Sequence, residues 1–234
     1  MRPLPADELR LLLELEVRSP LRRLQGRETF EHRARDGRAI IVKRSRPGAR
    51  PGGRREHDAL LFLAEIGLSV PAALGFVAGP AGSLVALAKV EHSETARERL
   101  ARAPAAARRA LLARIAGLLA RLHTAGARHR DFYAHHLLLR ADDEQLVLID
   151  AGRAGPAPFP RWRWFVKDAG ALLSSLPPAA SRGERLRFLR DYLDARQVRD
   201  RGARRRFARA ALAKAGRIAA RVPRDERAPT AAGR

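Results

Sequence analysis

The segment from Leu122 to Arg140, L-H-T-A-G-A-R-H-R-D-F-Y-A-H-H-L-L-L-R, constrains the chain more than any other. It carries His129-Arg130-Asp131, then His136 five residues after the aspartate, then the apolar run Leu137 to Leu139. Two polar side chains on one loop act together only if both ends of that loop are held. An apolar helix must lead in and a buried strand must lead out. Both are legible. From Ala105 to His123, Leu111, Leu112, Ile115, Leu118, Leu119 and Leu122 fall on one helical face, and Gly126 stops the helix. Leu137 to Leu139 reads as the buried strand.

The 234 residues suffice for one large domain or two smaller lobes, and 46% hydrophobic content allows a sizeable core. The formal net charge is +22. Much of that arginine belongs to solvated surface, as an Arg- and Ala-rich composition supplies; the rest favours polyanions such as anionic lipid headgroups, nucleic acid or a phosphorylated substrate. Cysteine is absent, which excludes disulfides, thiolate catalysis and Cys-zinc sites and fits a reducing compartment. Met1 to Val17 is too short and too acidic for a signal peptide. No stretch approaches the ~18 apolar residues of a membrane span. A soluble or peripheral protein on the cytoplasmic side is expected.

In chain order, residues 1–20 read as an N-terminal extension with one short helix. Strands follow near Leu21 to Leu24, Glu28 to Arg33 and Arg38 to Lys43, with a hairpin at Asp36-Gly37. The third, A-I-I-V-K, ends on Lys43, which is either a phosphate-binding lysine or an ordinary edge-strand one. A Pro/Gly/Arg loop from Ser45 to Gly53 precedes a helix from Arg54 to Ile66, stopped by Gly67. Glu56, in its first turn, serves either Lys43 or the helix dipole. Ala73 to Val77 and Ser83 to Ala88 complete five strands, and Lys89 to Glu91 is the expected hinge. A short helix is expected from Glu94 to Arg102.

After the central loop, Leu146 to Ile149 runs into Asp150-Ala151-Gly152. A carboxylate at the end of a buried strand is costly unless a cation uses it, and Mg²⁺ favours carboxylate and phosphate oxygens. Gly155 to Pro160 is a turn. Trp162, Trp164 and Phe165 are expected to pack in the core, with stacking on a sugar ring as the alternative. Asp168 is expected to open a helix to Leu176, where a kinase-like chain would have it bond the central loop's backbone. Arg182 to Asp194 carries Leu186, Leu189, Tyr192 and Leu193 on one face. Ala203 to Arg221 sets Phe207, Ala211, Leu212, Ala215 and Ile218 against seven basic residues. This helix either packs with its arginines in water or meets an anionic membrane. A disordered tail is expected over 223–234.

Lys43, Glu56, Asp131, His136 and Asp150 occur in the order, and in the elements, of a protein-kinase-like fold. The expected class is α+β and bilobal: a five-stranded antiparallel small lobe with one helix over 21–89, and a mainly helical large lobe over 90–222.

The chain also resembles the bacterial lipopolysaccharide inner-core kinases, which phosphorylate heptose or Kdo sugars. The likeness lies in L-Q-G-R-E-T-F with the strand into Lys43, R-R-E-H-D-A-L-L-F-L, H-R-D-F-Y-A-H-H-L-L-L, and I-D-A-G-R-A with R-W-R-W-F-V-K-D-A-G-A-L-L-S-S-L. It spans Leu21 to Arg221. Histidine rather than asparagine at 136, with Tyr133 before it, favours the heptose branch. The resemblance implies ATP and Mg²⁺ as cofactors and a lipopolysaccharide core sugar as acceptor. Lys43, held by Glu56, would orient the phosphates. Asp150, with His136 as second ligand or phosphate contact, would hold Mg²⁺. Asp131 would accept the hydroxyl proton, and Gly26 and the hinge residue Glu91 would contact the nucleotide. The glycine-rich loop is reduced to Gly26. No protein-kinase activation segment fits after Asp150, which argues against a protein substrate. Another small-molecule kinase of the same fold, such as an aminoglycoside kinase, is the first rival, but a chain of charge +22 suits a cationic drug poorly. A pseudokinase or basic binding module is the second. No nucleic-acid motif supports it, so no nucleic-acid partner is expected.

Overall fold

The computed structural model describes residues 1–48 and 53–221. Residues 49–52 of the expected loop, and the expected tail, lie outside the described residues. The elements in order are α1 (Ala6–Glu14), β1 (Arg22–Leu24), β2 (Arg27–Arg33), β3 (Ala39–Ser45), α2 (Gly53–Glu65), β4 (Ala73–Gly79), β5 (Gly82–Ala88), β6 (His92–Thr95), α3 (Ala96–Arg102) and α4 (Ala105–Thr124). Then come β7 (Ala127–Arg128), a 3₁₀ turn (Ala134–His136), β8 (Leu137–Arg140), β9 (Leu146–Leu148), β10 (Gly155–Pro156), α5 (Trp162–Ser175), α6 (Arg182–Ala195) and α7 (Arg201–Arg221). The chain divides into two compact units, Met1–Glu94 with Leu138–Gly155, and Thr95–Leu137 with the chain from Pro156 onward.

The first unit is built on an antiparallel five-stranded sheet in the order β1-β2-β3-β5-β4. β3 is therefore interior, and Lys43 pairs with Thr29 on one side and Val85 on the other. The edge-strand alternative for Lys43 is excluded. Because strand side chains alternate between faces, A-I-I-V-K-R-S sends Ile40, Val42 and Arg44 to one face and Lys43 to the other. α1 covers the first face. Its Leu9, Leu12 and Leu13 join Phe30, Ile40, Val42, Leu74, Leu84 and Ala86 in one core. Gly75 permits the approach: its φ is 155°, and a Cβ there would sit 2.6 Å from Leu9 Cδ1. A second, three-stranded sheet has the order β6-β8-β9.

Arg44 ties α1 to the sheet. Its buried guanidinium donates to the carbonyls of Leu12, Leu13 and Leu15 at 3.2, 3.0 and 2.6 Å, and to Glu28 Oε2 at 2.6 Å. Those carbonyls end a helix and have no partners within it. Burial works against the Glu28 charge, but the bonds and charges of Arg44 and Arg46 together outweigh it and hold the carboxyl below its ordinary range.

In the second unit, α4 buries all six expected leucine and isoleucine positions. α3 begins later than expected, because β6 runs to Thr95 and Thr95 caps the helix. Its Oγ1 accepts from the Glu98 N–H, and the Glu98 carboxylate accepts from the Thr95 N–H. α5 begins at Trp162, not Asp168, since R-W-R-W-F-V already follows helical spacing once Pro160 is passed. Asp168 is thus mid-helix and fully buried.

Three expected core positions are corrected. Trp162 is 49% exposed, Leu186 43% and Leu212 38%. The next turn supplies the buried residues: Phe165 on α5, and Phe188 ahead of Leu189, Tyr192 and Leu193 on α6. α5 and α7 cross closely at Gly170, where a Cβ would lie 2.7 Å from Lys214 Cγ and 3.2 Å from the Ala211 carbonyl oxygen. That tight crossing leaves α7 burying Phe207 and Ala211 while Leu212 turns outward.

Candidate active site

In the first unit three elements converge on Lys43. Its ammonium lies 2.5 Å from Glu56 Oε1 on α2 and 3.1 Å from Asp150 Oδ1 beyond β9. Glu56 is buried, so a purely dipolar role is excluded: its carboxylate faces the lysine, not water. Burial opposes the Lys43 charge, but Glu56 and Asp150 together outweigh it and raise its pKa. Burial pushes the Glu56 carboxyl upward, and Lys43 pulls it back. Asp150 takes a positive φ of 60°, and Ala151, where a phenylalanine is usual in such a motif, is fully buried.

Gln25 and Gly26, with φ of 45° and 73°, form the two-residue turn joining β1 to β2. Two positive φ values in succession suit a tight hairpin. The Gly26 carbonyl accepts from the Arg46 N–H at 2.8 Å. Glu91 has an exposed side chain 3.6 Å from Lys89, and its carbonyl accepts from the Ala141 N–H at 3.1 Å.

The second unit holds the central loop. Asp168, from the middle of α5, accepts from the backbone N–H groups of His129 at 2.8 Å and Arg130 at 2.6 Å. This is the expected loop-bracing contact. His123, given no role by sequence, supports it: Nε2 lies 3.4 Å from Asp168, Nδ1 lies 2.7 Å from the Tyr192 hydroxyl, and the ring stacks on Phe165 at 4.1 Å. Burial depresses the His123 pKa against the pull of Asp168. Burial also disfavours the Asp168 charge, but His123 and the His129 N–H outweigh it and hold its pKa low. Tyr192 is pushed by burial up to about 12.

His129 is fully buried against Phe132, which fits bracing rather than reaction. The Asp131 carbonyl lies 2.8 Å from His136 Nδ1, which fixes the imidazole relative to the aspartate. Ser175 Oγ accepts from the Ala134 N–H at 2.8 Å. Trp164 carries the Arg128 guanidinium on its ring at 4.0 Å, with Arg163 at 4.9 Å and Arg130 at 5.4 Å. Lys167, which sequence reasoning missed, lies 3.8 Å from Asp131 Oδ1. The signal available was its place beside Asp168 in F-V-K-D.

The residues fit ATP and Mg²⁺. Lys43 offers a charged ammonium, of the kind that can take phosphate oxygens, held in place by two carboxylates. Asp150, about half exposed and hence in reach of solvent, is an oxygen ligand of the kind Mg²⁺ takes. Among the described residues no group of three or more His, Asp or Glu could hold a metal alone.

A family model described as the lipopolysaccharide kinase (Kdo/WaaP) family matches residues 8–192. The chain belongs to that family. Among its lipopolysaccharide kinase relatives is the lipopolysaccharide core heptose(I) kinase WaaP of Pseudomonas aeruginosa, 32% identical over 207 residues that cover 73% of this chain and 75% of the relative. The Escherichia coli WaaP is 38% identical over 93 residues, 36% of this chain and 35% of the relative. Among solved structures, a type VIII aminoglycoside-3'-phosphotransferase matches at TM-score 0.59 and 19% identity, covering 88% of this chain and 97% of its own. An aminoglycoside phosphotransferase from Streptomyces rimosus, in complex with ADP and streptomycin, matches at TM-score 0.56 and 17% identity, over 80% of this chain and 90% of its own. At those identities the likeness establishes the fold, the expected kinase-like α+β class. The family establishes a phosphotransferase acting on a sugar hydroxyl.

Proposed function

We propose that this kinase transfers the terminal phosphoryl group of ATP to a hydroxyl of an inner-core heptose of lipopolysaccharide. The observation that carries the chemistry is the Lys43–Glu56–Asp150 cluster, a buried carboxylate and a strand-end carboxylate sharing one ammonium. The heptose acceptor is supported by the heptose(I) kinase relative that aligns over most of both chains.

Each residue has a role in this reading. Lys43, kept charged and oriented by Glu56, binds phosphate oxygens. Gly26 offers backbone at the β1–β2 turn, and Glu91 lies in the hinge that receives the nucleotide. Asp150 holds Mg²⁺, with His136 as second ligand or phosphate contact through the ring nitrogen that does not face the Asp131 carbonyl. Bound Mg²⁺ supplies charge neutralisation between the phosphates. Asp131 accepts the hydroxyl proton. Catalysis of this kind is positioning and charge stabilisation more than covalent chemistry.

An acceptor rich in phosphate and carboxylate, set in an anionic leaflet, suits a basic protein. α7 exposes Arg201, Arg205, Arg206, Arg209, Arg217 and Arg221, and it fits peripheral contact with that surface on the cytoplasmic side. No helix among the described residues is long and apolar enough to cross a membrane.

The test is transfer of labelled phosphate from ATP with Mg²⁺ to purified lipopolysaccharide core lacking heptose phosphate, with streptomycin as a parallel acceptor. Label in heptose, abolished by Asp131→Ala and by Asp150→Ala, is expected. Label in streptomycin alone would move the acceptor to another class. ATP binding without label in either would retain the fold and remove the acceptor.

A further inference from the structure

We propose that Lys167 is a positioning residue for phosphoryl transfer, acting through Asp131. The inference rests on the role of Asp131 as proton acceptor. Between Asp131 and His136 the loop F-Y-A-H supplies no lysine or arginine of its own. The cation comes instead from α5. Lys167 Nζ stands 3.8 Å from Asp131 Oδ1, and the same ammonium donates to the Arg130 carbonyl.

Lys167 has a partner in this task. The next residue, Asp168, accepts from the Arg130 N–H at 2.6 Å. Two consecutive α5 side chains thus grip both backbone polar groups of the residue directly before the catalytic aspartate. Arg130 needs the grip, because its φ is 74°. A non-glycine residue keeps that conformation only where its surroundings impose it. Asp168 is fully buried in its own network, whereas the Lys167 side chain is 22% exposed and the Asp131 side chain 16%. Lys167 is therefore the half of the clamp that borders the reaction.

The same ammonium also faces Asp131 itself, 3.8 Å from Oδ1, so it fixes where that carboxylate stands as well as the backbone before it. In the transfer step the acceptor hydroxyl gives its proton to Asp131 as its oxygen bonds to the γ-phosphorus. The bond from that phosphorus to the bridging oxygen breaks, and ADP leaves with the electron pair. Lys167 keeps its proton throughout. Asp131 then returns its proton to water, which resets the site.

A carbonyl cap alone would need a donor but no charge, and this separates the two roles. Lys167→Gln keeps a donor in reach of Arg130 and removes the charge. Lys167→Arg keeps both. The full-length enzyme is assayed with ATP, Mg²⁺ and lipopolysaccharide core lacking heptose phosphate, with melting temperatures for each variant and Asp131→Asn as reference. For Lys167→Gln we expect kcat to fall about 10- to 100-fold, within the range of a general-base contribution, with KM for ATP unchanged. Lys167→Arg, which keeps donor and charge, should restore most of the wild-type kcat. A Lys167→Gln enzyme with wild-type kcat overturns the proposal. So does a kcat loss in Lys167→Gln that Lys167→Arg shares in full. If Lys167→Gln does not fold, Lys167→Met, which removes donor and charge together, reads the kcat loss and Lys167→Arg its rescue. If Asp131→Asn leaves kcat intact, the role of Asp131 is wrong, and that outcome is separate from a failure at Lys167.

Discussion

Lys43 illustrates how one residue's meaning depends on its neighbours. An interior-strand lysine opposite a buried glutamate is stabilised by an ion pair whose loss strands the partner's charge. Lys43→Met should lower kcat/KM by about 10²–10³, the range for losing a preorganised electrostatic contact, as steady-state kinetics with ATP would show. At His123 the sign of a pH effect can be worked out. Its folded pKa lies below the ordinary 6.5 because burial disfavours the charged ring. The unfolded chain therefore binds more protons between that folded value and 6.5, and stability falls as pH drops through this window. Asp168 adds a second loss lower down: its folded pKa lies below 3.8, so its contribution holds above 3.8 and disappears as pH falls through the folded value. Urea titrations from pH 8 to pH 5.5 should show the first decline in the wild type. His123→Phe should be less stable at pH 8 but flatter across that range.

At the scale of elements, α1 is joined to the sheet by one guanidinium. Arg44→Met would leave Glu28 buried and the last α1 carbonyls without their donor. Breaking a buried pair costs roughly 3–5 kcal/mol, and Arg23 and Arg46, which also reach Glu28, place this case at the lower end. Denaturant unfolding should report that loss, and protease cleavage near residue 15 should accelerate. The sheet and α4 were legible because their burial follows a local period: two along β3, and three to four along α4. α5 was legible in kind but not in extent. Its first turn, R-W-R-W, is half arginine, and its exposed Trp162 gives no local sign of which aromatic is buried. Trp164 takes the Arg128 guanidinium over its ring from outside the helix, a contact no local pattern announces.

For the whole molecule, charge makes the prediction. With a net charge of +22, and six exposed arginines along α7, association with anionic vesicles should weaken steeply as salt rises from 50 to about 300 mM, because screening shortens the reach of exposed charges. Replacing Arg205, Arg206 and Arg209 by glutamine should reduce vesicle sedimentation while leaving phosphorylation of detergent-solubilised core unchanged. Equal loss of both would place the arginines in acceptor binding.

By itself the sequence determined the kinase-like order of Lys43, Glu56, Asp131, His136 and Asp150, the helix and strands that carry them, and the family. These depend on motif spacing and on apolar periodicity, which act over a few residues. Tertiary structure decided which polar groups meet. His123 reaches Asp168 and Tyr192, and Lys167 reaches Asp131, across 36 to 69 positions of chain. Those meetings follow from helix packing, as at the Gly170 crossing, and from the requirement that a buried polar group find a partner. A one-dimensional pattern reports that such a group is buried; only packing in three dimensions selects the partner.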